Sequence, residues 1–114
     1  MVANKKTTTV SLVFLAASIG FASPALAQES ALQVARDTAR IAGGARFCKA
    51  DEELVDEFIG KSEGKIAALA QDEYDKVSAA IEFKNLLAAL SVKAPEGGCD
   101  AFLPQFEKAV KADR

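Results

Sequence analysis

The chain contains no histidine and no tryptophan, and its only methionine is Met1. Without histidine, the side chain most often used as a general base near neutral pH is missing. Nucleophilic pairs of the Cys–His and Ser–His kind are excluded with it, as are haem ligation by histidine and histidine-based zinc or copper sites. Carboxylates, lysines and Tyr74 are the remaining groups for acid–base work, and no spacing among them points to catalysis. We therefore expect no enzyme, with no catalytic residue, metal site or cofactor. Strand signals are also scarce, because the few β-branched residues are scattered among alanines instead of alternating.

Positive charge is lacking where a nucleic-acid binder would need it. Residues 51–100 carry five lysines against twelve acids, the reverse of the basic stripe that displaces phosphate counterions. Neither nucleic acid nor an anionic membrane surface is an expected partner.

What is present begins with a leader. Lys5 and Lys6 form a positive start, residues 10–22 are an uncharged apolar run, and Pro24-Ala25-Leu26-Ala27 supplies a breaker and small residues. This order reads as a secretory signal peptide, residues 1–27, cleaved after Ala27. The run is shorter than the roughly 20 residues of a membrane span, and Gln28 stands where a lipoprotein would need cysteine. No stable membrane insertion is expected after cleavage. The destination is the periplasm, or alternatively the outside of the cell. Removing Lys5 and Lys6 takes the formal net charge from −2 to −4.

The remaining residues, 28–114, are long enough for one domain with a modest core. Exported domains of this size often add disulfides, and Cys48 and Cys99 are the only pair available. Their spacing is not that of a redox CxxC, so a structural disulfide is expected. A loop of about 50 residues is assigned roughly 4 kcal/mol by the chain-entropy account.

Helical periodicity predicts an all-α bundle of three to four helices. A first helix runs from Glu29 to about Cys48, with Leu32, Ala35, Ala39 and Ala42 on one face and Val34, Thr38 and Ile41 beside it. Gly43-Gly44 either ends it or permits a close crossing. Asp51 is a plausible N-cap for a second helix, whose stripe is Leu54, Val55, Phe58, Ile59, Ser62, Ile66 and Leu69; Gly60 and Gly64 predict a kink or break in it. Asp72 opens a third helix, with Asp75 as capping partner and Val77, Ala80, Ile81, Phe83, Leu87 and Leu90 as the buried side. After the loop at 94–98, Asp100 is the expected cap of a last helix that carries Phe102, Leu103, Phe106 and Val110 and holds Pro104 in its first turn. A charged tail after Val110 is expected to fray. The second and third helices form a central antiparallel hairpin, and Cys48–Cys99 clamps its open end.

Several groups are candidate sites. Asp51, Glu52, Glu53, Asp56 and Glu57 could converge on a hard cation, but no EF-hand spacing surrounds them and a solvated helix start accounts for them. Asp72, Glu73 and Asp75 read the same way. Arg36 and Arg40, with Arg46 nearby, either hold an anion or pair with the acidic hairpin. Phe47, Phe58, Phe83, Phe102 and Phe106 read as core, and Tyr74 as half-exposed packing.

In outline, a leader, helices and one disulfide, the chain is similar to the small periplasmic acid-stress chaperones, a resemblance of architecture that carries over no site residue. It implies an acid-responsive chaperone. A physical argument runs parallel, since protonating the carboxylates below roughly pH 4 swings the net charge from −4 towards about +12 and loosens the fold by self-repulsion. The leading expectation is a non-catalytic exported protein that binds a partner, such as an envelope protein, or serves an envelope role. Weak binding of a divalent cation or small ligand is the other alternative.

Overall fold

The computed structural model describes residues 29–114; the leader and its cleavage point lie outside them. Four helices follow one another, α1 (Ala31–Phe47), α2 (Glu52–Leu69), α3 (Glu73–Leu90) and α4 (Gly98–Ala112), with no strand among the described residues. This is the expected all-α bundle.

Local chemistry explains most of the helix starts. Ser30 Oγ accepts the Gln33 N–H at 3.0 Å, and Asp51 Oδ1 accepts the Glu53 N–H at 2.8 Å. Asp72 Oδ1 accepts the Asp75 N–H at 2.8 Å while Asp75 Oδ2 accepts the Gln71 N–H at 3.0 Å. The last two bonds are a reciprocal cap, satisfying two amides that a helix start leaves without partners. Each such cap is worth about 1 kcal/mol against alanine.

Assembly is organised around α1. It packs against both α2 and α3 more extensively than those arms of the hairpin pack on each other. The buried side of α1 is almost all alanine: Ala31, Ala35, Ala39, Ala42 and Ala45 are fully buried. Small side chains let the neighbouring helices approach and bring their own bulk, so that Ile66 from α2 and Phe83 and Leu87 from α3 fill the first core cluster with Val34. A second cluster joins Ala45, Val55, Phe106 and Val110 under α4. There Phe106 meets Phe58 edge-on at 5.7 Å between centroids and stacks on Phe102 at 6.0 Å.

Gly43 and Gly44 mark a close crossing. A Cβ on Gly43 would lie 2.6 Å from Leu90 Cβ, and one on Gly44 would lie 3.1 Å from the Phe102 ring. α1 continues through both and ends in a tight turn in which Ala50 N–H donates to the Ala45 carbonyl at 2.9 Å. Lys49 turns the corner with φ of 56°, a left-handed conformation usually left to glycine. The turn delivers Cys48 to Cys99 in the first turn of α4, with Cα atoms 5.4 Å apart. The disulfide thus joins the end of the first helix to the start of the last across the mouth of the α2–α3 hairpin.

Five expectations are corrected. α2 runs unbroken through Gly60 and Gly64, both exposed with open space around them; two costly residues are tolerated inside a helix anchored by its buried stripe. Gly97, with φ of 84°, precedes the first residue of α4 and Asp100 lies within its first turn, so Asp100 is not the cap. Because the helix starts earlier, Pro104 is its seventh residue rather than a first-turn residue. The tail does not fray at Val110: α4 reaches Ala112 and Arg114 is bound to α2. Finally, Val77, Ala80 and Ile81 do not belong to the buried side of α3, which consists of Ala79, Phe83 and Leu87 with Leu86 and Leu90 half-buried.

Candidate functional site

The groups weighed from the sequence are dispersed by the fold. In the acidic cluster, Asp51 is occupied as a cap, and Glu57 faces Lys61 at 3.6 Å and Arg114 at 3.0 Å. No three carboxylate or thiol groups come together as a metal site among the described residues. Asp72 and Asp75 are committed to the reciprocal cap. Arg36 pairs with Glu82 of α3 at 3.1 Å, tying α1 to the hairpin, and Arg40 leans on Asp37 at 3.4 Å. Of the phenylalanines, Phe83 and Phe106 are core, Phe58 and Phe102 half-buried, and Phe47 at the surface.

No titratable side chain is buried among the described residues, and the one buried polar side chain is Ser62. Its hydroxyl donates to the Phe58 carbonyl at 2.8 Å, a bond that turns it back into its own helix. Arg114 is the main reason the Glu57 carboxyl sits below the usual carboxylate range, with Lys61 adding to the effect. The same pairing raises the Arg114 guanidinium. These groups form a surface clasp that ties the residues after α4 to α2.

Two open clefts lie near the disulfide. One of about 470 Å³ is lined by Arg46, Lys49, Glu52 and Asp56 with Ala50 and Val55, a floor of mixed charge. The other, about 520 Å³, runs between Ile41, Leu90, Pro95 and Phe102 with Arg40, Lys93 and Glu96 at its rim. Neither encloses a buried polar group that would orient a ligand.

The unexpected feature is the outward side of α3. Tyr74 is 82% exposed, Val77 48% and Ile81 54%, and Val92, just past the helix end, is 80% exposed. With Asn85 and Ala88, both exposed, these positions recur at steps of three and four residues and form one stripe. The stripe lies opposite the Ala79–Phe83–Leu87 side, so α3 has two apolar faces and only one of them meets the bundle. Tyr74 was expected to be half-exposed and is almost wholly so. The signal was present in the sequence as apolar residues on two opposite sides of one helix, Tyr74, Val77 and Ile81 on one and Ala79, Phe83 and Leu87 on the other.

Comparison with protein-family models, with curated proteins and with solved structures finds no match to this chain. None of the described helices is long and apolar enough to cross a membrane.

Proposed function

We propose that this is an exported, non-catalytic binding protein of the cell envelope that docks a protein partner on the outward face of α3. One observation carries the reading. Among the described residues, four of the five large apolar side chains that are exposed, Tyr74, Val77, Ile81 and Val92, lie on α3 or just past its end. Apolar residues scattered over a surface are ordinary, whereas a contiguous apolar stripe is the mark of an interaction site. The missing histidine, the unburied titratable groups and the open clefts all favour binding over catalysis. The periplasm is the destination that the leader and the disulfide favour.

The test is retention of envelope proteins on the immobilised, oxidised protein, compared with a Val77→Asp/Ile81→Asp variant. A protein held by the native surface and released from the variant supports the reading. Equal retention on both surfaces, or none on either, sinks it.

The Glu57–Arg114 clasp favours a second reading, an acid-responsive chaperone. Protonation of Glu57 would undo a tie between α4 and α2 while the rest of the chain becomes strongly cationic. A titration from pH 7 to pH 3, following dye binding and light scattering from an aggregating client, tests it. Reversible exposure with suppressed scattering supports a chaperone; a domain that stays closed or itself aggregates rules it out.

A further inference from the structure

The core of the first three helices is complete without the fourth. Val34, Ala35, Ala39, Ile66, Phe83 and Leu87 belong to a cluster drawn from α1, α2 and α3 alone, and no residue of α4 is among the half-buried side chains that border it. Ion pairs bind the same three helices across their surface. Arg36 meets Glu82 at 3.1 Å, and Glu29, just before α1, meets Lys65 at 3.4 Å. α4 buries only Phe106 and Val110, both in the second cluster.

The polar and covalent attachments of α4 lie at its ends. Cys99 in its first turn is held by the disulfide. Arg114 and the Asp113 carbonyl, past its last residue, are held by Glu57 and Lys61. Between these points, among the described residues, no side-chain hydrogen bond or ion pair joins α4 to another helix; Lys111 pairs with Glu107 on α4 itself. The helix also starts without a side-chain cap, and Pro104 has no N–H to give the Asp100 carbonyl. An element with few buried contacts and exposed ties opens at a lower free energy than the core beside it.

We propose that α4 is a lid that swings off α1 and α2 as one unit about its disulfide-held first turn, while α1, α2 and α3 stay folded. In the closed state Phe102, Phe106 and Val110, at steps of four residues, fill an apolar groove in the manner of a docked helix. Opening withdraws them and uncovers the walls of that groove, Ile41, Ala45, Val55 and Phe58. None of these side chains lies on the outward face of α3, so the lid holds or fails independently of docking there.

Native-state hydrogen exchange on the oxidised protein, purified from cells expressing the full chain, tests the lid residue by residue over urea concentrations below unfolding. The expected result is one shared protection for the α4 amides beyond Pro104. It should be at least about tenfold below that of the slowest α1 and α3 amides, with a shallower urea dependence. Ile66→Val, in the first cluster, separates a lid from a domain that opens only as a whole. It should lower the protection of the slowest α1 and α3 amides roughly two- to tenfold. The protection of α4 should be unchanged, because Ile66 stays packed in the closed and the open state alike. α4 amides that share the protection and urea dependence of α1 and α3, or that lose protection with them in Ile66→Val, overturn the proposal. So does protection that falls off one residue at a time towards Arg114, which is the fraying of a helix end.

Discussion

Arg114, the last residue, grips Glu57 of α2 through two bonds, Nε to Oε2 at 3.2 Å and a terminal guanidinium nitrogen to Oε1 at 3.0 Å. Lys61 adds to the clasp by donating to the Asp113 carbonyl at 2.8 Å. Because Glu57 is held below its ordinary range, chiefly by Arg114, the clasp stabilises the fold above that range. Its contribution fades as the pH falls through the lowered value. Arg114→Ala should therefore lower the urea midpoint slightly at pH 7, and the two proteins should converge as the pH falls below the ordinary carboxylate range. The effect is small because the pair is exposed. Curves that stay parallel across the range would show that the clasp contributes nothing that protons can remove.

Glycine substitutions should separate by location. Gly43→Ala places a Cβ 2.6 Å from Leu90 Cβ and 3.0 Å from the Leu90 carbonyl carbon, and backbone cannot swing aside. Destabilisation of about 1–3 kcal/mol is expected, against a helix preference that alone would favour alanine by about 1 kcal/mol. Gly60→Ala and Gly64→Ala meet nothing within 4 Å and should each stabilise by about 0.4–1 kcal/mol. Chemical denaturation of the three variants gives the order directly.

Reducing the disulfide should cost roughly 4 kcal/mol at most, from the separation of 51 residues that it closes. Such a loss is a large share of the stability of a small domain. Urea unfolding with and without a thiol reductant measures it. A midpoint unchanged by reduction would mean that the packed clusters alone hold the bundle.

On α3, Phe83 and Val77 should behave oppositely. Phe83→Ala empties a site that is 1% exposed and should cost about 3–5 kcal/mol. Val77→Ser, on the outward stripe, should change the stability of the isolated domain by no more than about 0.5 kcal/mol. Thermal melts in dilute solution, below any association, distinguish the two.

That contrast marks where sequence reasoning stops. Caps were readable because they depend on side chains within three or four residues: Asp51 and the Asp72–Asp75 pair lie where their chemistry requires. The disulfide was readable because only one pair exists. The stripes of α1, α2 and α4 were readable because each helix has one apolar side. α3 has two, and periodicity cannot say whether Ile81 or Phe83 turns towards α1. The alanine face of α1 decides that, through contacts between residues more than forty positions apart. The start of α4 was misplaced for another reason: the left-handed backbone of Gly97 sets it without any side-chain bond, leaving Asp100 inside the helix.

Lys49 holds φ of 56° at the end of α1, where a side chain crowds its own backbone. Lys49→Gly should relieve that crowding and stabilise the fold by up to about 1 kcal/mol, raising the urea midpoint. A loss of stability would show that the lysine stem contributes packing that outweighs the backbone relief.

The position of the disulfide has a mechanical consequence. Cys48 closes α1 and Cys99 opens α4, so the bond makes a covalent ring containing α2 and α3 and leaves the other two helices as arms mounted on one post. An arm that lifts away cannot leave; it stays within reach of its seat at an effective concentration on the order of millimolar, as for any short tether. Opening then becomes a hinged excursion with an assured return path.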